Sequence, residues 1–193
     1  LPAAVVAQAP TLAPVSGHST YRNLTLTLPG DRRPIDLVAA RLDPRSRRGF
    51  DFIERGAGDP WQGFDRGAIL VSEPLARRLQ LGAGDHLAIP TPQGPIDFDV
   101  AGVFRDFASE HGRIFMPRAA YARYWEDLSV NTVALFTDAT PGALTDTVTQ
   151  AFADRYALRY TPAQAIYAES MAVFERTFRI TEVLRLLSVR ISV

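Results

Sequence analysis

The sequence predicts an α+β fold, with short strands, a few helices and one long helix that runs out of the C-terminal end. Three observations carry this reading. Apolar residues alternate with polar ones in short runs such as Leu24, Leu26 and Leu28, which is the period of a half-buried strand. Turn residues (PGDRRP, GAGD, PQGP) punctuate those runs. From Pro162 onward, Met171, Phe174, Phe178, Thr181, Leu184, Leu187 and Ile191 recur at helical spacing. At 1.5 Å per residue that last helix is roughly 45 Å long, more than a small domain needs.

Residues 1–20 are rich in Ala and Pro and weakly patterned. The strand around Leu24–Leu28 and the run IDLVAARL flank PGDRRP and read as a hairpin. Residues 43–67 read as loop, with Phe50, Phe52 and Trp61 tucked onto the body. AILVS (68–72) is a short buried strand. A helix follows with Ser72 as N-cap, Pro74 in its first turn, Leu75 and Leu79 on its inner face and Gly82 as its stop. HLAIPT and PIDFDVAGVF form a second hairpin, with Ile96, Phe98 and Val100 inward and Asp97 and Asp99 outward. The alternation breaks at Ala101-Gly102, as at a β-bulge. RIFM (113–116) is a strand, and Pro117 opens a helix carrying Tyr121, Tyr124 and Trp125. NTVALFT (131–137) is a strand, PGALTDTVTQAFADRY an amphipathic helix and ALRYT a short strand.

Composition removes several chemistries. The chain has 193 residues, no Cys and formal net charge zero. Thiol catalysis, disulfides and cysteine zinc sites are excluded, and no global field attracts nucleic acid. All 21 basic residues are Arg, so there is no Schiff-base or P-loop lysine. The chain starts Leu1-Pro2 without a signal-peptide pattern, which predicts a piece of a longer protein. No stretch reaches the ~20 apolar residues of a membrane span.

The stretch RDFASEHGR places Ser109, Glu110 and His111 side by side. Adjacent residues seldom converge as a catalytic triad, and no G-x-S-x-G elbow is present. A polar hairpin turn, exposed and available for a partner, is the simpler reading. The competing reading is a serine hydrolase using Ser109 or Ser72 with His111 or His86. A third is a secreted lipid- or peptide-binding module. His18, His86 and His111 have no His partner at i+3 or i+4, so no metal site is predicted, nor any cofactor. GAGD follows a helix rather than a strand and is not a phosphate loop. DPRSRRG (43–49) reads as a solvated basic loop.

ILVSEPLARRLQLGAGDHLAIPTPQGPIDFDVAGVFRDF, then MPRAAYARYW, then VALF, resembles the extracytoplasmic domain of an ABC-transporter permease of the FtsX/MacB type. AVFERTFRITEVLRLLSV resembles the segment by which such a domain re-enters the membrane. The likeness covers roughly 68–188 and is strongest over 69–107 and 174–187.

The resemblance implies two lobes: a mixed α/β membrane-proximal lobe (1–45 plus 129–161) with an inserted β-rich lobe (46–128), followed by a stalk helix (162–193) leading into the membrane. It implies no enzymatic activity in the domain itself. The implied partners are the transmembrane remainder of the permease, a cytoplasmic ABC ATPase, and a second permease copy or a periplasmic partner. The implied location is the extracytoplasmic side of a bacterial inner membrane. Phe174, Arg176, Phe178, Arg179, Leu184, Arg185 and Leu187 would form the membrane-proximal stalk, with the arginines snorkelling to headgroups. Arg190 departs from this pattern, since Arg at the bilayer centre costs about 2.5–3.5 kcal/mol. Either 180–193 lie at the interface or the last few residues are not native membrane segment.

Overall fold

A computed structural model describes residues 1–106, 109 and 111–161. The chain divides into two compact units, Leu1–Asp138 and Ala139–Val193. In the first unit, α1 (Ala3–Gln8) and a 3-10 turn (Ala9–Thr11) lead into β1 (Val15–Thr27) and β2 (Pro34–Arg41). Then come α2 (Pro44–Arg47), β3 (Phe52–Arg55), α3 (Pro60–Asp65), β4 (Ile69–Ser72) and α4 (Glu73–Leu79). β5 (His86–Thr91), β6 (Gly94–Phe104), β7 (Arg113–Pro117), α5 (Arg118–Trp125) and β8 (Thr132–Thr137) complete it.

The strands form one mixed sheet in the order β3-β6-β4-β7-β2-β1-β8, with β5 paired to β6 beside this row. The β1–β2 hairpin is antiparallel, β2 and β7 run parallel, and β4 lies antiparallel to β7 but parallel to β6. The sheet draws strands from both of the segments assigned above to separate lobes. Period-two alternation sends residues to opposite faces. Ile35, Leu37, Ala39, Ile69, Val71, Ile114 and Met116 join one core with Leu75 and Ala76 of α4 and Tyr121 of α5. Val38, Ala40, Leu70 and Phe104 join the other with Phe64 of α3, against which Phe50, Phe52, Trp61 and Phe115 pack.

The alternation of Leu24, Leu26 and Leu28 is as expected, and all three pack toward the first core. The bulge sits where the pattern broke: Ile69 pairs with Val100 and Leu70 with Gly102, so Ala101 is the extra residue. It lets Val100 and Val103 share one core while Phe104 enters the other.

Other expectations change. The predicted loop 43–67 holds α2, β3 and α3. These elements span too few residues to show a period, but Asp43 and Asp59 each precede a proline and accept the backbone N–H two residues on, as N-caps do. Gln80, not Gly82, ends α4, in left-handed backbone with φ 55°. Gly82 instead gives its N–H to Asp85 at 2.7 Å. Ser72 stands at the N-cap position without a capping bond, because its Oγ accepts the Arg113 N–H at 2.8 Å. β6 and β7 are not a hairpin, since β4 lies between them.

In the second unit, α6 (Pro141–Phe152) ends one turn earlier than the sequence pattern. Val148 and Phe152 are its buried residues. ALRYT (157–161) is not a strand. The predicted stalk, including Phe174, Arg176, Phe178, Arg179, Leu184, Arg185 and Leu187, lies outside the described residues. Among the described residues no helix is long and apolar enough to cross a membrane.

A polar clamp ties the segment after α5 to β1. Tyr121 is fully buried and donates its hydroxyl to Asp127 Oδ2 at 2.9 Å. Arg22 Nε reaches the same oxygen at 2.7 Å, and Ser129 N–H donates to Oδ1 at 2.8 Å. Hydrogen bonds from Ser129, then those from Arg22 and Tyr121, hold the Asp127 carboxyl well below the usual carboxylate range. A carboxyl depressed in the folded state contributes stability above its unfolded pKa and loses it as pH falls. Asp127→Asn is therefore expected to lower the unfolding free energy by about 1–3 kcal/mol at pH 7. Urea titration at several pH values should show the difference shrinking below about pH 4. A gap independent of pH would place the effect elsewhere.

Candidate functional site

The connection 105–113 is the stretch that sequence reading singled out, and its surroundings define it. Among its described residues, Arg113 gives its N–H to Ser72 at the end of β4 and Gly112 lies against Leu75 of α4. Gly112 has φ +93°, and a Cβ there would meet the Leu75 Cβ at 2.7 Å. Only glycine satisfies both the left-handed backbone and the close approach to the helix. Beyond it, Arg78 Nη1 donates to the His111 carbonyl at 2.6 Å, while Arg78 Nε lies 2.8 Å from Asp31 Oδ2. One guanidinium thus joins the β1–β2 turn, α4 and the connection. Arg113 Nη1 approaches Asp106 at 3.3 Å and its Nη2 approaches Asp36 at 3.7 Å. Arg105 Nη1 pairs with Asp51 at 2.7 Å.

Ser109 is buried rather than exposed, and donates to Asp36 Oδ2 at 3.3 Å. Its neighbourhood is ion pairs, which give a buried hydroxyl an acceptor that open water would otherwise supply. His111 is exposed, and Glu110 lies outside the described residues. Ser72 is fully buried at the end of β4. His86 is on β5, its Nδ1 2.7 Å from Asp99 Oδ1, and both side chains are mostly exposed. Among the described residues no serine–histidine hydrogen bond forms, and no group of three or more metal-ligating side chains converges. His18 sits beside Arg41; burial first, then that guanidinium, push its pKa below the ordinary imidazole value.

Asp36 and Arg113 also line a surface groove of about 410 Å³ with Tyr21, Asn23, Val38 and Phe115. Sequence reading found Ser109 and His111 because they stand together. It missed Asp31, Asp36, Arg78 and Arg113, which meet only through strand order. The one local signal was Gly112.

Comparison with solved structures places the fold. The chain superposes on the extracellular domain of the noncanonic ABC-type transporter YknZ from Gram-positive bacteria with a TM-score of 0.57, at 12% identity, covering 80% of this chain and 83% of that one. It superposes on the periplasmic region of MacB from Actinobacillus actinomycetemcomitans with a TM-score of 0.58, at 11% identity, covering 77% and 72%. The fold is therefore that of the extracytoplasmic domains of MacB- and YknZ-type transporters. In sequence, the chain is 33% identical over 161 residues to the uncharacterized ABC transporter permease protein Rv0987 of Mycobacterium tuberculosis (strain ATCC 25618 / H37Rv), a match covering 81% of this chain. It is thus homologous to part of an ABC transporter permease, and spans 19% of that relative's length. No protein-family model matches.

Two substitutions test the geometry. Gly112→Ala forces a side chain into strained backbone against Leu75, and is expected to cost about 1–3 kcal/mol of stability. Arg78→Ala leaves Asp31 without its guanidinium and is expected to cost about 3 kcal/mol. Arg77→Ala, one residue away with its side chain 79% exposed, should change stability by less than about 0.5 kcal/mol. Equal effects of the two arginines in urea unfolding would refute the arrangement.

Proposed function

We propose that this chain is the non-catalytic extracytoplasmic domain of an ABC-transporter permease in a bacterial inner membrane. In this reading a separate cytoplasmic ATPase hydrolyses ATP, and transmembrane segments carry the motion to the domain. The domain converts that motion into substrate export, lipid or lipoprotein handling, or activation of a partner. The observation that carries it is a conjunction. The 33% identity to a permease runs through 161 residues, and the same chain has the MacB/YknZ extracytoplasmic fold.

The stalk at 162–193 would transmit the motion, with Phe174, Phe178, Leu184 and Leu187 packing against an opposing stem and Arg176, Arg179 and Arg185 at headgroup level. The lobes would follow the segments 1–45 plus 129–161 and 46–128. The connection bearing Ser109, Glu110 and His111 would lie away from the membrane and meet a partner through the exposed His111. A second permease copy or a periplasmic protein would fill that place.

The full-length protein tests this. These 193 residues hold no Cys, so in a full-length protein with every cysteine elsewhere replaced, one introduced cysteine reports its own location. Leu128 is 81% exposed, and Leu128→Cys is expected to react with a membrane-impermeant maleimide in intact cells or spheroplasts. Labelling only after lysis would overturn the topology. The reading frame should also encode apolar spans before Leu1 and overlapping the residues beyond about Leu184. A frame with neither would sink the proposal.

A further inference from the structure

The β5–β6 hairpin leaves a short piece of sheet edge open inside a cleft. Val100 donates its N–H to the Asp85 carbonyl at 2.8 Å and accepts the Gly84 N–H at 2.8 Å, so both of its backbone groups face the β5 side. Backbone direction alternates along a strand. Phe98 and Ile96 therefore also face β5, while Asp97 and Asp99 face away from it. The register supplies an independent check. Pro90 and Pro95 stand opposite each other, and neither has an N–H to give, so this pair must be a non-bonded one. Asp97 and Asp99 share the direction of Pro95.

On the side they face, β4 begins only at Ile69, opposite Val100. Before that point Asp97 and Asp99 pair only with the β5 strand, and no loop backbone bonds to them among the described residues. Both backbone groups of Asp97 and the N–H of Asp99 open into a cleft of about 410 Å³, whose lining includes Arg66, Asp97, Asp99, Arg123 and Tyr124. Pro95 closes the edge at one end and β4 at the other. The opening is thus about three residues long, built like a strand position left vacant.

The side chains fix what would fill it. Phe98 is buried in the first core against Tyr124, so Asp97 and Asp99 project from the opposite face. Asp97 has no ion pair among the described residues, and Asp99 meets only the exposed His86. A strand laid along this edge would set two alternate side chains beside those carboxylates and the one between them toward Phe98 and Tyr124. Cross-strand pairs favour opposite charge. We infer that this cleft binds an extended peptide segment by strand addition, in a basic–apolar–basic pattern. Arg66 and Arg123, from the loop before β4 and from α5, offer donors to carbonyls on the added strand's other edge.

The test uses the 193-residue chain and an octapeptide of alternating valine and arginine, read by amide NMR. Saturable binding is expected, with the largest shifts at the Asp97 and Asp99 amides. In the free protein these two amides should exchange with solvent faster than those of Phe98 and Val100. The same peptide N-methylated at alternate amides, and an octapeptide of alternating valine and glutamate, should not bind. Asp97→Asn with Asp99→Asn should weaken binding about tenfold. Asp97→Pro removes a donor that the β5 ladder does not use, and should abolish binding in a folded protein. If Asp97→Pro fails to fold, the N-methylated peptide and the double Asn variant decide. No saturable binding, equal binding of the N-methylated peptide, or shifts centred away from 97–99 would overturn the inference.

Discussion

Everything in the first unit depends on β4 being buried on both faces and paired on both edges. Its four residues, Ile69 to Ser72, are all buried. Ile69 and Val71 enter the core under α4 and α5, and Leu70 enters the aromatic core under α3. Each such side chain contributes roughly 1.5–3 kcal/mol of burial. On its edges β4 joins β6 to β7, and so links the β3–β6 side of the sheet to the β2–β1–β8 side. A strand this short has no room for a polar residue within it, so polarity appears at its last position. There Ser72 finds the Arg113 N–H.

That placement creates the polar end of the sheet. Because β4 separates β6 from β7, the chain must cross over its end between them. The crossing needs glycine where it touches Leu75, and it needs partners for backbone groups that no neighbouring strand satisfies. Arg78 bonds the His111 carbonyl while pairing with Asp31, and Arg113 gives its own backbone N–H to Ser72 while its guanidinium approaches Asp36. The hydroxyl and imidazole of the RDFASEHGR stretch are thus drawn apart. Ser109 turns inward to Asp36 and His111 outward to water. The fold that holds this stretch is shared with the extracellular domain of YknZ and the periplasmic region of MacB.

The hairpin end follows the same logic with a different outcome. Prolines 90 and 95 blunt the edges of β5 and β6 at their tip. The bulge at Ala101 lets β6 serve β5 in its first half and β3 and β4 in its second. The change of partners leaves Asp97 and Asp99 at the join, with an unused edge beside α5.

What the sequence determined by itself was local. The period of Leu24–Leu28, the inward set Ile96, Phe98 and Val100, the bulge at Ala101 and the helix after Pro117 all follow from neighbouring residues, because periodicity, turn chemistry and proline act within a few positions. The order of motifs was also legible, and with it the likeness to ABC-permease extracytoplasmic domains. Short elements such as β3 and α3 escaped notice, since four to six residues barely complete one period. Only the tertiary structure decided that β2 lies parallel to β7, that β4 divides β6 from β7, and that Ser109 is buried. Those outcomes rest on contacts between residues far apart in the chain. Their selection depends on how two hydrophobic faces are covered at once, which no single stretch encodes.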